Sequence, residues 1–371
     1  MEIALVTKPD RQMTGLRRYA LSLYQALRGR GLAVRWCHPR PIPQAVARLG
    51  RAVGLDAAAF AASYPVAVDS AGATVCHLAS QTLASALWLQ RLPPTVVTVH
   101  DIIPYLVRDD PALRTHHGAF ERWVDTLAVR ALRRADALIA ISEYTKGCIM
   151  QALRVPATRI RVIHRAVDSA FFRPQSVPAA FRQRYGLSDA ECYVLYVGSE
   201  DPRKNLATLL HAFARVAQQV PLAHLIKVGA AHFCSQRQGL LALVDELDLQ
   251  GRVRFVDHVP DEELPWWYNA AQVFVLPSLY EGFGLPALEA MSCGTPVIAA
   301  DRASLPEVVG PGGALVDPRD EATLADNIMA LLTEPERHAT ASQAALSQAA
   351  RFSLKRQAAE TMAIYEALLC K

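Results

Sequence analysis

The chain has 371 residues, 51% hydrophobic and 20% charged, with a net charge of +4, a composition that excludes a disordered or collagen-like protein and leaves room for two ordinary domains. Seven cysteines are scattered without a C-x-x-C pair, so neither a disulfide framework nor a zinc site is expected. Met1–Val6 runs straight into Thr7-Lys8-Pro9 as a strand start rather than a secretory leader, and no stretch reaches the roughly 18 apolar residues of a spanning helix, so a soluble, cytoplasmic protein is the expectation.

The charge is unevenly divided. Residues 1–170 carry 22 Lys and Arg against 12 Asp and Glu, whereas residues 171–371 carry 17 against 23. Nine arginines and no acid lie between Asp10 and Asp56. Such a run is either a solvated basic face or a surface for an anionic partner: a membrane, a lipid diphosphate or a phosphorylated glycan.

Taken in order, strand Met1–Val6 is followed by a loop through Gly15 and a helix with Leu16, Tyr19, Ala20, Leu23 and Leu27 on one face. A glycine between first strand and first helix suits a turn that approaches a diphosphate, although the turn needs it sterically in any case. Residues 41–55 read as a short amphipathic segment, with Ile42, Val46, Leu49 and Val53 at helical spacing beside Arg48 and Arg51. The stripe is core packing or a membrane-interface element. Thr95–Val99 is a strand that delivers His100 and Asp101 to its carboxyl end, where ligand groups collect in open α/β sheets. A lone histidine there is more often structural than catalytic, and the residues alone favour the structural reading. Residues 118–134 read as helical, and Ala137–Ser142 and Ile160–Ile163 as further strands. The alternation predicts a parallel, doubly wound sheet.

Phe172–Pro178 is a polar, proline-bearing linker, and Tyr193–Gly198 opens a second sheet. Asp201-Pro202-Arg203-Lys204-Asn205 then places two cations at a strand-to-helix turn, able to neutralise a diphosphate. Residues 261–268 read as a capped helix. The apolar run Val273–Leu276 is a strand ending at Pro277. After it come Glu281, a loop with Gly282 and Gly284, a helix bearing Glu289, and strand Pro296–Ala300. Glycine amides beside a helix N-terminus hold an anion or a sugar hydroxyl, and two carboxylates flank the loop, which together read as a sugar-nucleotide site. A last helix runs from Phe352 to Leu369, with Ala358, Met362, Tyr365 and Leu369 on one face.

With these segments the chain resembles, over nearly its whole length, the retaining glycosyltransferases of family 4, which have the GT-B fold. Glu281 and Glu289 match that family's E-x7-E motif within Tyr-Glu-Gly-Phe-Gly-Leu-Pro-Ala-Leu-Glu-Ala. Cys293–Ala299, Leu305–Glu307, Gly313–Pro318, Asp201–Leu206 and Val99–Asp101 are similar to further family signatures. The resemblance implies an α/β fold of two Rossmann-like domains with parallel sheets facing across a cleft. Residues 1–172 would be the acceptor side and 173–352 the nucleotide-sugar side, with a helix at 353–371 returning to the first domain.

It also implies roles. Arg203 and Lys204 would hold the diphosphate, Glu289 the ribose, and Glu281 the transferred sugar. Gly282 and the amides of Phe283, Gly284 and Leu285 would meet sugar and phosphate, with Gly198 closing the preceding strand and Val259 beside the base. His100 would reach the sugar near the reacting carbon, and Gly15 would let the first loop approach the phosphates. Arg17, Arg18, Arg48 and Arg51 are the candidate contacts with an anionic membrane or acceptor. The implied donor is a nucleoside diphosphate sugar, GDP-mannose favoured and UDP-hexose next, as co-substrate, with no metal, no other cofactor and no nucleic acid partner. The implied acceptor is lipid-linked or a phosphorylated glycan, and the setting is bacterial cell-surface polysaccharide or lipopolysaccharide synthesis at the inner face of the cytoplasmic membrane.

Two positions depart from the family pattern: Arg17 stands where glycine is common in the first loop, and Ser199 where an arginine is usual. Two other readings compete. One is a GT-B nucleotide-sugar epimerase. The other is a dinucleotide-dependent oxidoreductase, since Gly282-Phe283-Gly284-Leu285-Pro286-Ala287 fits G-x-G-x-x-A with Asp301 after the next strand; against it, the preceding strand stops well short of the first glycine.

Overall fold

The computed structural model describes residues 1–9, 15–41, 57–113, 118–231 and 234–370. The chain divides into two compact units, Met1–Arg165 with Leu354–Lys371, and Ala166–Ser353. Among the described residues each unit holds one six-stranded sheet, parallel in every strand pairing.

In the first unit the strands are β1 (Glu2–Val6), β2 (Ala33–Cys37), β3 (Val75–Leu78), β4 (Thr95–Val99), β5 (Ala137–Ala140) and β6 (Ile160–Val162), in the order β2-β1-β3-β4-β5-β6. Its α-helices are α1 (Gly15–Arg28), α2 (Ala57–Ser63), α3 (Ile103–Leu106), α4 (Ala119–Ala131) and α5 (Glu143–Leu153), with the last helix of the chain joining them. Strands buried on both faces need apolar side chains at successive positions. The Thr-Val-Val-Thr-Val run of β4 is accordingly buried throughout. Period-two alternation sorts them: Ala4, Val6, Cys76, Leu78, Val97 and Val99 enter one core, while Ile3, Leu5, Val75 and Val96 enter the other with α1.

In the second unit the strands are β7 (Cys192–Val197), β8 (Ala223–Val228), β9 (Val253–Val256), β10 (Val273–Leu276), β11 (Val297–Ala300) and β12 (Ala314–Val316), in the order β12-β11-β10-β7-β8-β9. The helices are α6 (Ala179–Tyr185), α7 (Leu206–Gln219), α8 (Cys234–Glu246), α9 (Leu264–Ala270), α10 (Leu285–Ser292), α11 (Leu305–Val309), α12 (Glu321–Thr333) and α13 (Pro335–Ala349). The chain builds outward from β7 to β9, then returns to the middle at β10 and builds the other way. The crevice outside the carboxyl ends of β7 and β10 is therefore the topological switch point, where open α/β sheets take their ligands.

Helix α14 (Leu354–Leu369) packs on α1 in the first unit. Its buried stripe is Gln357, Ala358, Thr361, Ile364 and Tyr365, whereas Leu369 is 46% exposed. Ala358 and Tyr365 are buried as expected and Met362 is half-buried, while Thr361, Ile364 and the half-buried Leu368 complete the face in place of Leu369. The expected capped helix at 261–268 is a 3-10 turn, Asp261–Glu263, leading into α9. Glu263 does not cap it; its carboxylate takes Arg184 at 2.5 Å and the Tyr185 hydroxyl at 2.7 Å. The amphipathic reading of residues 41–55 falls almost entirely outside the described residues. No helix among the described residues is long and apolar enough to cross a membrane.

Candidate active site

The switch point of the second sheet is built from two loops. After β7 the chain passes Gly198, whose φ is +157°; a Cβ there would meet the Tyr196 hydroxyl at 2.7 Å. It then forms the 3-10 turn Pro202–Lys204. Asn205, in left-handed conformation, ends that turn and donates to the carbonyls of Pro277 (3.1 Å) and Pro318 (2.7 Å). This ties the basic loop to the loop after β10, a tie strengthened by Leu279 N–H donating to the Arg203 carbonyl at 2.8 Å.

The charged side chains converge there. Lys204 Nζ lies 2.6 Å from Glu281 Oε1, and Arg203 Nη1 lies 4.0 Å from Glu281 Oε2 while donating to the Tyr280 carbonyl at 3.1 Å. Ser278 Oγ adds a 3.0 Å bond to the same Oε1, and Ser304 Oγ donates to the Glu281 carbonyl at 2.9 Å. Burial alone pushes the Glu281 carboxyl up. The Lys204 and Arg203 charges, with the Lys204 and Ser278 hydrogen bonds, win and hold it below the usual carboxylate range. Glu281 is therefore an ionised group whose charge is already matched by cations.

Gly284 opens α10 at φ +96°, and a Cβ there would sit 2.6 Å from Leu305 Cδ2, so only glycine fits the approach of that loop to α11. Gly282 and Phe283 are buried and Leu285 half-buried in the same turn. Glu289, one turn into α10 and 1% exposed, accepts the Tyr268 hydroxyl at 2.8 Å. Val259 is half-buried in the segment after β9, at the far edge of the sheet. The G-x-G-x-x-A stretch does not continue a strand, since β10 ends at Leu276. Behind the site lies a second ionic group at the carboxyl ends of β7 and β8: Glu200, fully buried, receives Lys227 at 2.5 Å and Arg237 at 2.5 Å, and Arg237 also reaches Asp257. A cavity of about 420 Å³ elsewhere in this unit is lined by Gly313, Asn327 and Arg337 and by none of these groups.

In the first unit, His100 follows β4 and is buried. Its Nε2 lies 2.9 Å from the Ala79 carbonyl, which can only accept, so Nε2 carries the proton. Nδ1 is then an acceptor, with no hydrogen-bond partner among the described residues. Burial, aided by the Arg165 charge, pushes the imidazole down to about 3, so it stays neutral. The Tyr19 ring stands edge-on to it at 4.8 Å. Tyr19 belongs to a buried chain of hydrogen bonds on the α14 side of the sheet: Tyr365 hydroxyl to His77 Nδ1 (2.6 Å), His77 Nε2 to Thr98 Oγ1 (2.7 Å), Thr98 to the Tyr19 hydroxyl (2.9 Å).

Gly15 is the first residue of α1 rather than a loop residue, and its carbonyl accepts from Arg165 at 2.6 Å. Arg17 and Arg18 are half-buried in the first turn of α1. Arg48 and Arg51 lie outside the described residues. The structure thus gathers Arg203, Lys204 and Glu281 into one cluster, with Gly198, Gly284 and Glu289 on the loops and helix around it, and sets His100, Gly15, Arg17 and Arg18 in the other unit. Sequence reading missed Ser278, Ser304 and Tyr268. Their partners are 3, 23 and 21 residues away, separations with no periodic signal to find them by.

The chain's similarities agree with this geometry. Residues 13–171 match the family described as Glycosyltransferase Family 4, and residues 179–348 match Glycosyl transferases group 1. The chain is 33% identical over 280 residues to the O-antigen chain mannosyltransferase B of Escherichia coli, covering 75% of this chain and 71% of that protein. It is 31% identical over 272 residues to the serotype-specific mannosyltransferase WbdA of Escherichia coli, spanning 70% of this chain but only 32% of that longer one. Among solved structures, the sucrose-phosphate synthase of Thermosynechococcus elongatus superposes with a TM-score of 0.75 at 26% identity, covering 100% of this chain and 99% of that one. HepE of Anabaena, solved with UDP and glucose, has the same fold, with a TM-score of 0.72 at 22% identity over 98% and 99% of the two chains. The loops at the switch point, the paired sheets and these likenesses lead to one family: this chain is a glycosyltransferase of family 4 with the GT-B fold.

Proposed function

We propose that the enzyme moves a hexosyl group, mannose for preference, from a nucleoside diphosphate sugar to a glycan or lipid-linked acceptor with retention of anomeric configuration. GDP-mannose is the favoured donor and a UDP-hexose the next. The observation that carries this is the Lys204–Glu281 pair, with Arg203 beside it, at the β7–β10 switch point. Breaking the anomeric carbon–oxygen bond leaves negative charge on the diphosphate and positive charge on the sugar ring. Arg203 and Lys204 take the first role. The Glu281 carboxylate accepts sugar hydroxyls, and its orientation is fixed by Lys204 and Ser278. With its charge committed to two cations it is a poor nucleophile, which favours a one-face route over a double displacement. In that route the acceptor oxygen bonds to the anomeric carbon as the phosphate oxygen leaves, and the departing phosphate takes the acceptor's proton.

Glu289 receives the ribose hydroxyls, oriented by Tyr268. His100, as a neutral acceptor at Nδ1, takes a hydrogen bond from a hydroxyl of the transferred sugar. The mannose preference, and a place in cell-surface polysaccharide synthesis, draw support from the names of the O-antigen chain and serotype-specific mannosyltransferases, 31–33% identical to this chain; work at the inner membrane face is part of the same proposal.

Calorimetry with GDP, UDP, ADP and dTDP tests the donor. GDP is expected to bind tightest, and Glu289→Ala to weaken it about tenfold or more through loss of charge-assisted hydrogen bonds. Unchanged affinity in that variant removes the ribose role, and a β-linked product from an α-linked donor removes retention.

A further inference from the structure

Four buried polar side chains connect the last helix to the strand that leads to His100. The Tyr365 hydroxyl of α14 meets His77 Nδ1 at 2.6 Å, His77 Nε2 meets Thr98 Oγ1 at 2.7 Å, and Thr98 Oγ1 meets the Tyr19 hydroxyl at 2.9 Å. Tyr365, His77 and Thr98 are wholly buried and Tyr19 nearly so. Gln357, a second residue of α14, adds a side-chain hydrogen bond to Tyr19. The chain ends at the Tyr19 ring, which stands edge-on to His100 at 4.8 Å with the Arg165 guanidinium 5.6 Å from its centre.

Holding a helix on a sheet does not require such a chain. The core around it is otherwise apolar, with Ile3, Leu5, Leu23, Ile139 and Ile364, and replacing both partners of a buried hydrogen bond by apolar groups of the same shape costs little. What hydrogen bonds add is direction. Burial holds His77 neutral, so one ring nitrogen donates and the other accepts. The sense of the bond at Tyr365 therefore sets the sense of the bond at Thr98, which has a single proton to share between His77 and Tyr19. A buried member that loses its partner is left unsatisfied or moves to another, so a change at Tyr365 is passed along to the Tyr19 ring. His100 is held elsewhere by the Ala79 carbonyl, which takes Nε2–H at 2.9 Å, and by Gln81 Oε1, which takes its backbone N–H at 3.2 Å. The Tyr19 ring limits the tilt that those two bonds leave open.

We propose that Tyr365 is a positioning residue for His100: through His77, Thr98 and Tyr19, helix α14 sets the angle at which His100 Nδ1 meets a hydroxyl of the transferred sugar. The proposal rests on the reading that His100 lies beside that sugar. Tyr365, 288 residues from His77 along the chain, touches no sugar itself and acts only through the imidazole.

The test uses the full-length protein, with GDP and GDP-mannose as calorimetric probes and the His100 Cε1–Hε1 signal followed by NMR, assigned from its loss in His100→Ala. Tyr365→Phe keeps the ring packing and deletes the hydroxyl. It is expected to shift the His100 signal and to weaken GDP-mannose about threefold to tenfold while GDP binds as it does to the wild type. Tyr19→Phe, which cuts the chain one link from His100 and keeps the ring, is expected to behave alike and serves if Tyr365→Phe does not fold. A role confined to stability would leave the two affinities in their wild-type ratio. Ile364→Val, on the same buried face of α14 but outside the chain, is expected to lower the melting temperature and to leave both readouts unchanged. Adding Tyr365→Phe to His100→Ala is expected to weaken GDP-mannose no further than His100→Ala alone. The proposal is overturned if the two hydroxyl deletions leave the His100 signal in place, if Ile364→Val moves it as far, or if the losses in the double variant add. Should His100→Ala keep the wild-type ratio of the two affinities while Tyr365→Phe still moves the His100 signal, the placement of His100 at the sugar falls and the coupling of its ring to α14 stands.

Discussion

Replacing Lys204 by Met keeps the alkyl stem and deletes the charge that sits 2.6 Å from Glu281. Glu281 is only 7% exposed, and removing one partner of a buried pair costs about 3–5 kcal/mol when the other stays charged. Glu281 has an escape. From an ordinary carboxyl pKa of 4.5, taking up a proton at pH 7 costs about 3 kcal/mol, and burial without Lys204 lowers that cost. The loss at pH 7 is therefore capped near 3 kcal/mol. It shrinks on acidification by up to about 1.4 kcal/mol per pH unit, because the proton becomes cheaper to bind. In the wild type the sign is that of a depressed carboxyl: its contribution is complete above 4.5 and is lost as pH falls through the lower folded value. Glu281→Gln alone strands Lys204, and the double variant strands neither. Urea unfolding of the four proteins at pH 7 is expected to give a coupling energy of about 2 kcal/mol, and a smaller one at pH 5. Additivity within about 0.5 kcal/mol would refute the paired-charge reasoning.

Gly284→Ala combines the φ of +96° with a Cβ 2.6 Å from Leu305 Cδ2, and is expected to cost about 1–3 kcal/mol or more. Adding Leu305→Ala relieves the clash but not the dihedral strain, so calorimetric scans are expected to show partial recovery and no more. Tyr268→Phe removes the 2.8 Å bond to Glu289. GDP affinity is expected to fall less than in Glu289→Ala, since the carboxylate remains but loses its orientation. His77 and His100 are both held down to about 3, chiefly by burial. The unfolded chain therefore binds their protons first; stability is intact above 6.5 and falls as pH drops below it toward 3. Between pH 7 and pH 5 the loss is expected to be about 2 kcal/mol for each, and His77→Gln should remove one such share of the slope measured by urea titration. A flat profile over that range would contradict the neutral, buried state of both rings.

The sequence by itself determined most of the strands, because a parallel sheet covered on both faces favours apolar runs such as that of β10; β2 and β3, interrupted by Arg35 and His77, and the three-residue β12 did not declare themselves in it. It also determined the family, through Glu281, Glu289 and the basic turn at Arg203-Lys204 read in their surroundings. What only the tertiary structure decided is which groups touch. Lys204 and Glu281 are 77 residues apart, and they meet because β7 and β10 are neighbours in a sheet whose order reverses there. Tyr268 joins the site from α9 and Ser304 from the turn that opens α11, with no sequence mark of that role, both placed by the packing of α9 and α11 against α10. On the residues alone His100 reads as structural rather than catalytic. Its tautomer, its accepting Nδ1 and its polar neighbours all follow from contacts with Ala79 and Tyr19, brought to it by β3 and α1. Local chemistry is written residue by residue along a chain, whereas the partner of a buried charge or an imidazole nitrogen is set by strand order and helix packing.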